Sequence, residues 1–216
     1  MSVANALPFL GAVQQLRGEL EDVQEVADST MELSAAHGLP QWLAIGRMLS
    51  EWVRAERGHG VAELQSVVDD YRSRGKIDFW ESYFLTLLAA ACLKHGVIED
   101  GLRTVMDALE GADQTGLQIY NAEFNRLQGE LLLARDPADA SQAEASFNRA
   151  LVIARSQNAK SWELRAALSL GRLWRRQGKR DDARQLLRGI HDWFTEGFET
   201  ADLREAKMVL DELAVD

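Results

Sequence analysis

A short apolar pattern returns about every 41 residues along this 216-residue chain, and that recurrence limits the folds open to it more than any other feature. Gly60, Gly101, Ala143 and Ala183 each open a segment in which a large apolar residue follows four positions later (Leu64, Val105, Phe147, Leu187). A further apolar residue comes three positions after that (Val67, Ala108, Ala150, Ile190). Steps of four and three trace one stripe of an α-helix, and the small residue at its head suits a place where two helices approach closely. A second apolar helix precedes each of these, so the repeating unit is a helix pair. One pair cannot bury its own apolar face, and neighbours must therefore stack along the chain.

Composition agrees with helix. Only 3 Pro and 16 Gly leave little material for the turns of an all-β fold. The periodicity predicts helices near 5–17, 20–36, 40–57, 60–74, 78–95, 98–112, 116–134, 139–157, 159–177, 180–194 and 200–213. Gly38, Gly58, Gly75, Gly96 and Gly178 fall at expected helix C-termini, where a residue with positive φ costs least. Asp78 to Glu81 and Ser141 to Glu144 read as capping boxes at helix starts.

The segment from Trp162 carries Ala167, Leu170, Gly171, Trp174, Gly178, Ala183, Leu187 and Ile190 at spacings that resemble the tetratricopeptide repeat. Phe84, Leu88, Ala89, Cys92, Gly96, Gly101, Val105 and Ala108 keep the pattern less closely, as do Gly129, Leu132, Ala143, Phe147 and Ala150. Over about 120–213 the chain further resembles the C-terminal tetratricopeptide region of large bacterial signalling proteins, in which that region follows an AAA or NACHT-like ATPase module, often with an adenylate cyclase domain. The resemblance implies an all-α, right-handed α-solenoid of about five helix pairs and a C-terminal capping helix. It would form a single domain over 1–216: a degenerate first pair in 1–38, four clearer pairs in 39–199, and the capping helix and tail in 200–216. No GxxxxGK[ST] string and no cyclase domain occurs, so those activities do not carry over. The chain is then either a stand-alone gene product or a piece of a larger regulator.

Charge narrows the partners. A formal net charge of −10 argues against nucleic acid and anionic membranes, both of which attract basic surfaces. No stretch approaches the ~20 apolar residues of a membrane span. The single cysteine, Cys92, excludes an internal disulfide and fits a reducing, cytoplasmic setting; its position on an apolar face places it in the core. His37, His59 and His95 each precede a glycine and suit helix ends better than a metal, and no catalytic residue, metal or cofactor is expected. Phe79, Trp80, Tyr83 and Phe84 share one helical face, read as core with a peptide-gripping groove as the alternative. Trp193 and Phe194, with Phe198, are expected to seal the last pair against the capping helix.

One charge feature resists a purely structural reading. Between Lys160 and Arg188 nine basic residues face three acidic ones, a local balance of +6 that leaves −16 for the rest of the chain. In tetratricopeptide arrays the first helix of each pair lines the concave surface. By that resemblance the groove carries Arg165, Leu168, Arg172, Arg175 and Arg176 in the last pair. The pair before it gives Glu123, Arg126 and Glu130, and the one before that Leu85 and Lys94. The expected role is a non-catalytic protein–protein interaction scaffold that takes an acidic or peptide segment through these arginines. The expected partner is another protein or a fused domain, an AAA or NACHT-like ATPase being the class implied. Solenoid ends also pair with copies of themselves, so a homo-oligomer falls within the expectation. The second reading is a small-ligand sensor of a larger ATPase or cyclase-type regulator.

Overall fold

The protein is described here by a computed structural model over residues 2–73 and 78–214; Gly75, expected at a helix end, lies outside the described residues. Eleven α-helices and no strand occur among the described residues. They are α1 (Ser2–Arg17), α2 (Leu20–His37), α3 (Pro40–Glu56), α4 (Ala62–Arg72), α5 (Phe79–Lys94), α6 (Ile98–Thr115), α7 (Asn121–Arg135), α8 (Ala140–Ser156), α9 (Lys160–Arg176), α10 (Arg180–His191) and α11 (Ala201–Ala214), with one 3-10 turn at Pro137–Asp139. From Pro40 onward the odd-numbered helices start 39–42 residues apart, which is the recurrence seen in the sequence.

The chain divides into two compact units, Met1–Val97 and Ile98–Asp216. In the first unit each helix packs on the next, and α3 also touches both α1 and α5. In the second unit α6 to α11 pack in order, and α7, α9 and α11 touch in turn. Both units thus repeat one contact scheme: each helix meets its successor, and the odd-numbered helices also meet one another in turn.

Residue volume explains how the helices come together. A Cβ built on Gly171 in α9 would lie 2.9 Å from Leu187 Cδ1 in α10, so the bare backbone is what lets Leu187 sit on α9. Gly129 in α7 plays the same part for Phe147 in α8, whose ring occupies the space a Cβ would take. Leu187 and Phe147 are fully buried. Gly60 differs. It lies just before α4 with φ +86 and open space around it, so its small size serves the turn rather than a helix approach.

Helix ends follow local chemistry. Gly38 closes α2 in the left-handed conformation, and the Leu39 N–H donates to Ser34 O at 2.9 Å, which satisfies a carbonyl left open by the last turn. Asp78 caps α5 by accepting from the Glu81 N–H at 3.0 Å, while the Glu81 carboxylate turns to Arg72 instead of completing the box. The expected box at Ser141 does not form. Asp136 accepts from the Ala138 N–H, Pro137 follows it, and the turn begins before Ser141, which falls inside α8. One other start also moved: α7 begins at Asn121, not near 116, because Gly116 (φ +75) follows the end of α6 and residues 117–120 make a turn.

The aromatic cluster of α5 is core. Trp80, Tyr83 and Phe84 are buried, and Phe9 and Trp42 pack against Trp80, so the groove alternative for these rings is excluded. Cys92 is fully buried in the same helix. α1 runs through Pro8 and is apolar around its circumference, leaving Val3, Leu10, Val13 and Leu16 exposed. Trp193 and Phe198 are 58% and 47% exposed, so the link between α10 and α11 does not form the expected seal.

Candidate functional site

The residues expected to line a groove fall into two settings. Lys94 belongs to the first unit, where its Nζ donates to Glu56 O at 2.9 Å and to Glu56 Oε2 at 2.5 Å. Beside it His95 Nε2 lies 2.8 Å from Ala55 O. Both side chains thus satisfy carbonyls at the end of α3.

The other seven lie on α7 and α9 of the second unit, and four of them, Glu123, Arg126, Glu130 and Arg165, join one polar network. Arg126 grips Glu123 with both arms of its guanidinium, Nε to Oε2 at 2.8 Å and Nη2 to Oε1 at 2.7 Å. Arg165 approaches the same carboxylate at 3.3 Å. Glu130 accepts from Ser169 Oγ at 2.6 Å and lies 3.8 Å from Arg126 Nη1. Glu123 is only 3% exposed, and the spacing of three residues along α7 is what permits its burial, because Arg126 reaches it within one turn.

Burial opposes ionisation of Glu123, but the charges of Arg126 and Arg165 and the Arg126 hydrogen bonds outweigh it and hold the carboxyl at about 2. Burial likewise opposes the charge on Arg126, and Glu123, with Glu130 and Asp202 in support, raises its pKa above the ordinary value. Next to this network Glu163, also buried, accepts from Arg155 Nε at 2.8 Å and Lys160 Nζ at 2.7 Å. Leu85 and Leu168, assigned to the groove by position, are buried in their helices.

The arginines of α9 meet α11. Arg165 Nε lies 3.8 Å from Asp202 Oδ1, Arg172 pairs with Glu205, and Arg175 pairs with Glu212. Arg180 Nη2 adds a hydrogen bond to Glu212 O at 2.8 Å. Positions 165, 172 and 175 step by seven and three, and 202, 205 and 212 by three and seven, so each set is one stripe of its helix. Asp202 is raised by burial, which its arginine neighbours only partly offset. Burial and the neighbouring Arg126, Arg175 and Arg176 lower Arg172, with Glu130 pulling the other way. Arg176 alone of the predicted row is exposed and has no ion-pair partner among the described residues.

Sequence reasoning found the arginine stripe but not the residues opposite it. The signal was present: α11 carries Asp202, Glu205, Asp211 and Glu212 against Arg204 and Lys207. A net acidic helix one period downstream of a basic one is the pattern to look for.

A second feature of this unit is a cavity of about 410 Å³ between the turn before α7 and the turn before α9, lined by Gln118, Ile119, Gln157, Ala159 and Trp162. Gln157 Nε2 donates to Gln118 O at 2.7 Å across it, and Arg165 stands over the Trp162 ring at 5.3 Å. Among the described residues no three His, Cys, Asp or Glu side chains gather where they could hold a metal ion. No described helix is long and apolar enough to cross a membrane. Neither protein-family models nor curated proteins match this sequence.

Proposed function

We propose that the chain is a non-catalytic protein-interaction scaffold, a right-handed α-solenoid of tetratricopeptide-like helix pairs whose first-helix face takes an acidic helical or peptide segment. The observation that carries this reading is the arginine stripe Arg165, Arg172 and Arg175, which runs along one helix and engages carboxylates on the helix beside it. Guanidinium groups fit carboxylates through paired N–H donors, and a row of them on a rigid helix selects a row of acids. A chain of this kind works in the cytoplasm as a signalling or regulatory module. An AAA or NACHT-like ATPase, in the same polypeptide or beside it, is the partner class that the resemblance implies.

The test is fluorescence anisotropy with labelled amphipathic helical peptides of acidic, neutral and basic character. Acidic peptides should bind most tightly and lose affinity as salt rises. Arg172→Glu with Arg175→Glu should remove that preference while far-UV circular dichroism is unchanged. Equal binding of acidic and neutral peptides would discard the reading.

The cavity beside Trp162 favours a second reading, a small-ligand sensor, because it combines an aromatic wall with two amide side chains. A metabolite that binds there raises the thermal midpoint of the wild-type chain and not that of Trp162→Ala.

A further inference from the structure

We infer that α11 is a resident ligand: an acidic amphipathic helix that occupies, in cis, the face of α9 and α10 that an external acidic helix takes in trans. This rests on the reading of the α9 arginines as a partner-binding surface, and it names both the partner and the control of that surface. The partner is a helix that repeats the chemistry of α11. Its acids stand at positions equivalent to Asp202, Glu205 and Glu212, and its apolar stripe sits one residue on, as Leu203, Ala206, Val209 and Leu213 do.

Three observations support exchange at this place. First, the complementarity is two-sided. The acids of α11 meet Arg165, Arg172 and Arg175, while Leu203, Ala206, Val209 and Leu213 are buried in the same docking. A helix that merely closed the end of the stack would need the apolar stripe but not the matched charges. Second, α11 is attached more lightly than α9, the helix that carries the arginines. It buries four side chains, whereas α9, only three residues longer, buries nine residues on several sides. Elements with few buried apolar contacts open at lower free energy than the rest of a fold. Third, the link in residues 192–200 does not pin α11. Trp193 and Phe198 in it are exposed, and the outward side of α11 presents Arg204, Lys207, Met208 and Asp211 to solvent. Nothing described in the unit covers α11 from that side.

A tethered helix competes at an effective concentration in the millimolar range for short links, so it masks the arginine face from weak acidic ligands and yields only to a tighter or multivalent one. The face is then selective by default.

The experiment uses the full chain and a labelled peptide with the sequence of residues 199–216. In the variant Asp202→Lys, Glu205→Lys, Glu212→Lys, lysines oppose the α9 arginines while the apolar anchors of α11 stay. The peptide is expected to bind this variant about tenfold more tightly than the wild type, the size expected when a few partly exposed ion pairs are lost. Hydrogen exchange of α11 should speed up while that of α9 does not. A milder variant, Glu205→Gln with Glu212→Gln, removes charge without repulsion and should give a gain of about threefold even if the lysine variant folds poorly. Adding Arg172→Glu and Arg175→Glu should abolish the gain. Equal peptide affinity for wild type and both α11 variants, or α11 exchange as slow in the variants as in the wild type, overturns the inference. The two proposals fail separately. Acidic peptides that bind regardless of the α11 variants leave the scaffold reading standing without the resident ligand. A 199–216 peptide that binds the variants while no other acidic helix does leaves the self-recognition standing without the scaffold.

Discussion

Replacing Gly129 with alanine is expected to destabilise the second unit, against the usual direction for a helical glycine. In an exposed helix the change gains roughly 1 kcal/mol, because alanine has less backbone freedom to lose. At position 129 the new Cβ would meet the Phe147 ring, with Cδ1 at 2.7 Å and Cζ at 2.9 Å, where comfortable carbon contacts are ~3.5–4.0 Å. The ring must retreat by about 1 Å, and Phe147 is fully buried with no solvent side to move towards. Overpacking of this kind costs about 1–3 kcal/mol, so after the propensity gain the net loss should reach up to about 2 kcal/mol. Gly189 is the internal control: it lies in α10 with nothing within 4 Å of its Cβ position, and its change to alanine should stabilise by about 0.5–1 kcal/mol. Urea unfolding followed by circular dichroism gives both values from the midpoint shift at constant slope. Shortening the ring by Phe147→Leu should relieve the clash, so that the double variant is more stable than the two single losses predict by at least about 1 kcal/mol. Gly129→Ala and Gly189→Ala that shift the midpoint alike, or a double variant that is simply additive, would refute the close approach of α7 and α8 at this point.

Acid stability should show the Glu123 network directly. The Glu123 carboxyl is held at about 2, below its ordinary 4.5, so it contributes stability that is full above about pH 4.5 and is lost as pH falls towards 2. The shift is worth up to about 3 kcal/mol, and Glu123→Gln should flatten the fall in stability between pH 4.5 and 3, whereas parallel curves for variant and wild type would contradict it. Asp202 acts with the opposite sign: burial raises it, so its protonation on acidification favours the folded state, and Asp202→Asn should steepen the same fall. Asp78→Ala removes the α5 cap and the acceptor for the Tyr71 hydroxyl at 2.8 Å, and should cost about 1–2 kcal/mol in urea titration; a loss under about 0.3 kcal/mol would show the cap to be idle.

Much of the helical order was legible because turn residues and apolar steps agree. Gly38, Gly58, Gly96 and Gly178 do close helices with positive φ, and Gly129 and Gly171, both members of the repeat pattern, sit against Phe147 and Leu187. What escaped was contact between elements. Glu123 and Arg126 looked like groove residues by position, yet they are buried as an ion pair, since a charge three residues from its opposite can be desolvated with it. Trp193 looked like a seal by composition alone, and exposure is a property of what stands opposite, which no local pattern records. The arginine stripe was visible, but an acidic stripe one period away has meaning only once the stacking order brings the two helices side by side.

Mutual recognition between α9 and α11 is open to a charge-exchange cycle on Arg172 and Glu205, read by hydrogen exchange along α11. Arg172→Glu alone and Glu205→Arg alone should each speed exchange of α11, since like charges then face one another, and the combined variant should return it to near the wild-type rate. If the combined variant exchanges as fast as the sum of the two single changes, the two residues do not act on each other, and the arginine face has no acidic helix as its ligand.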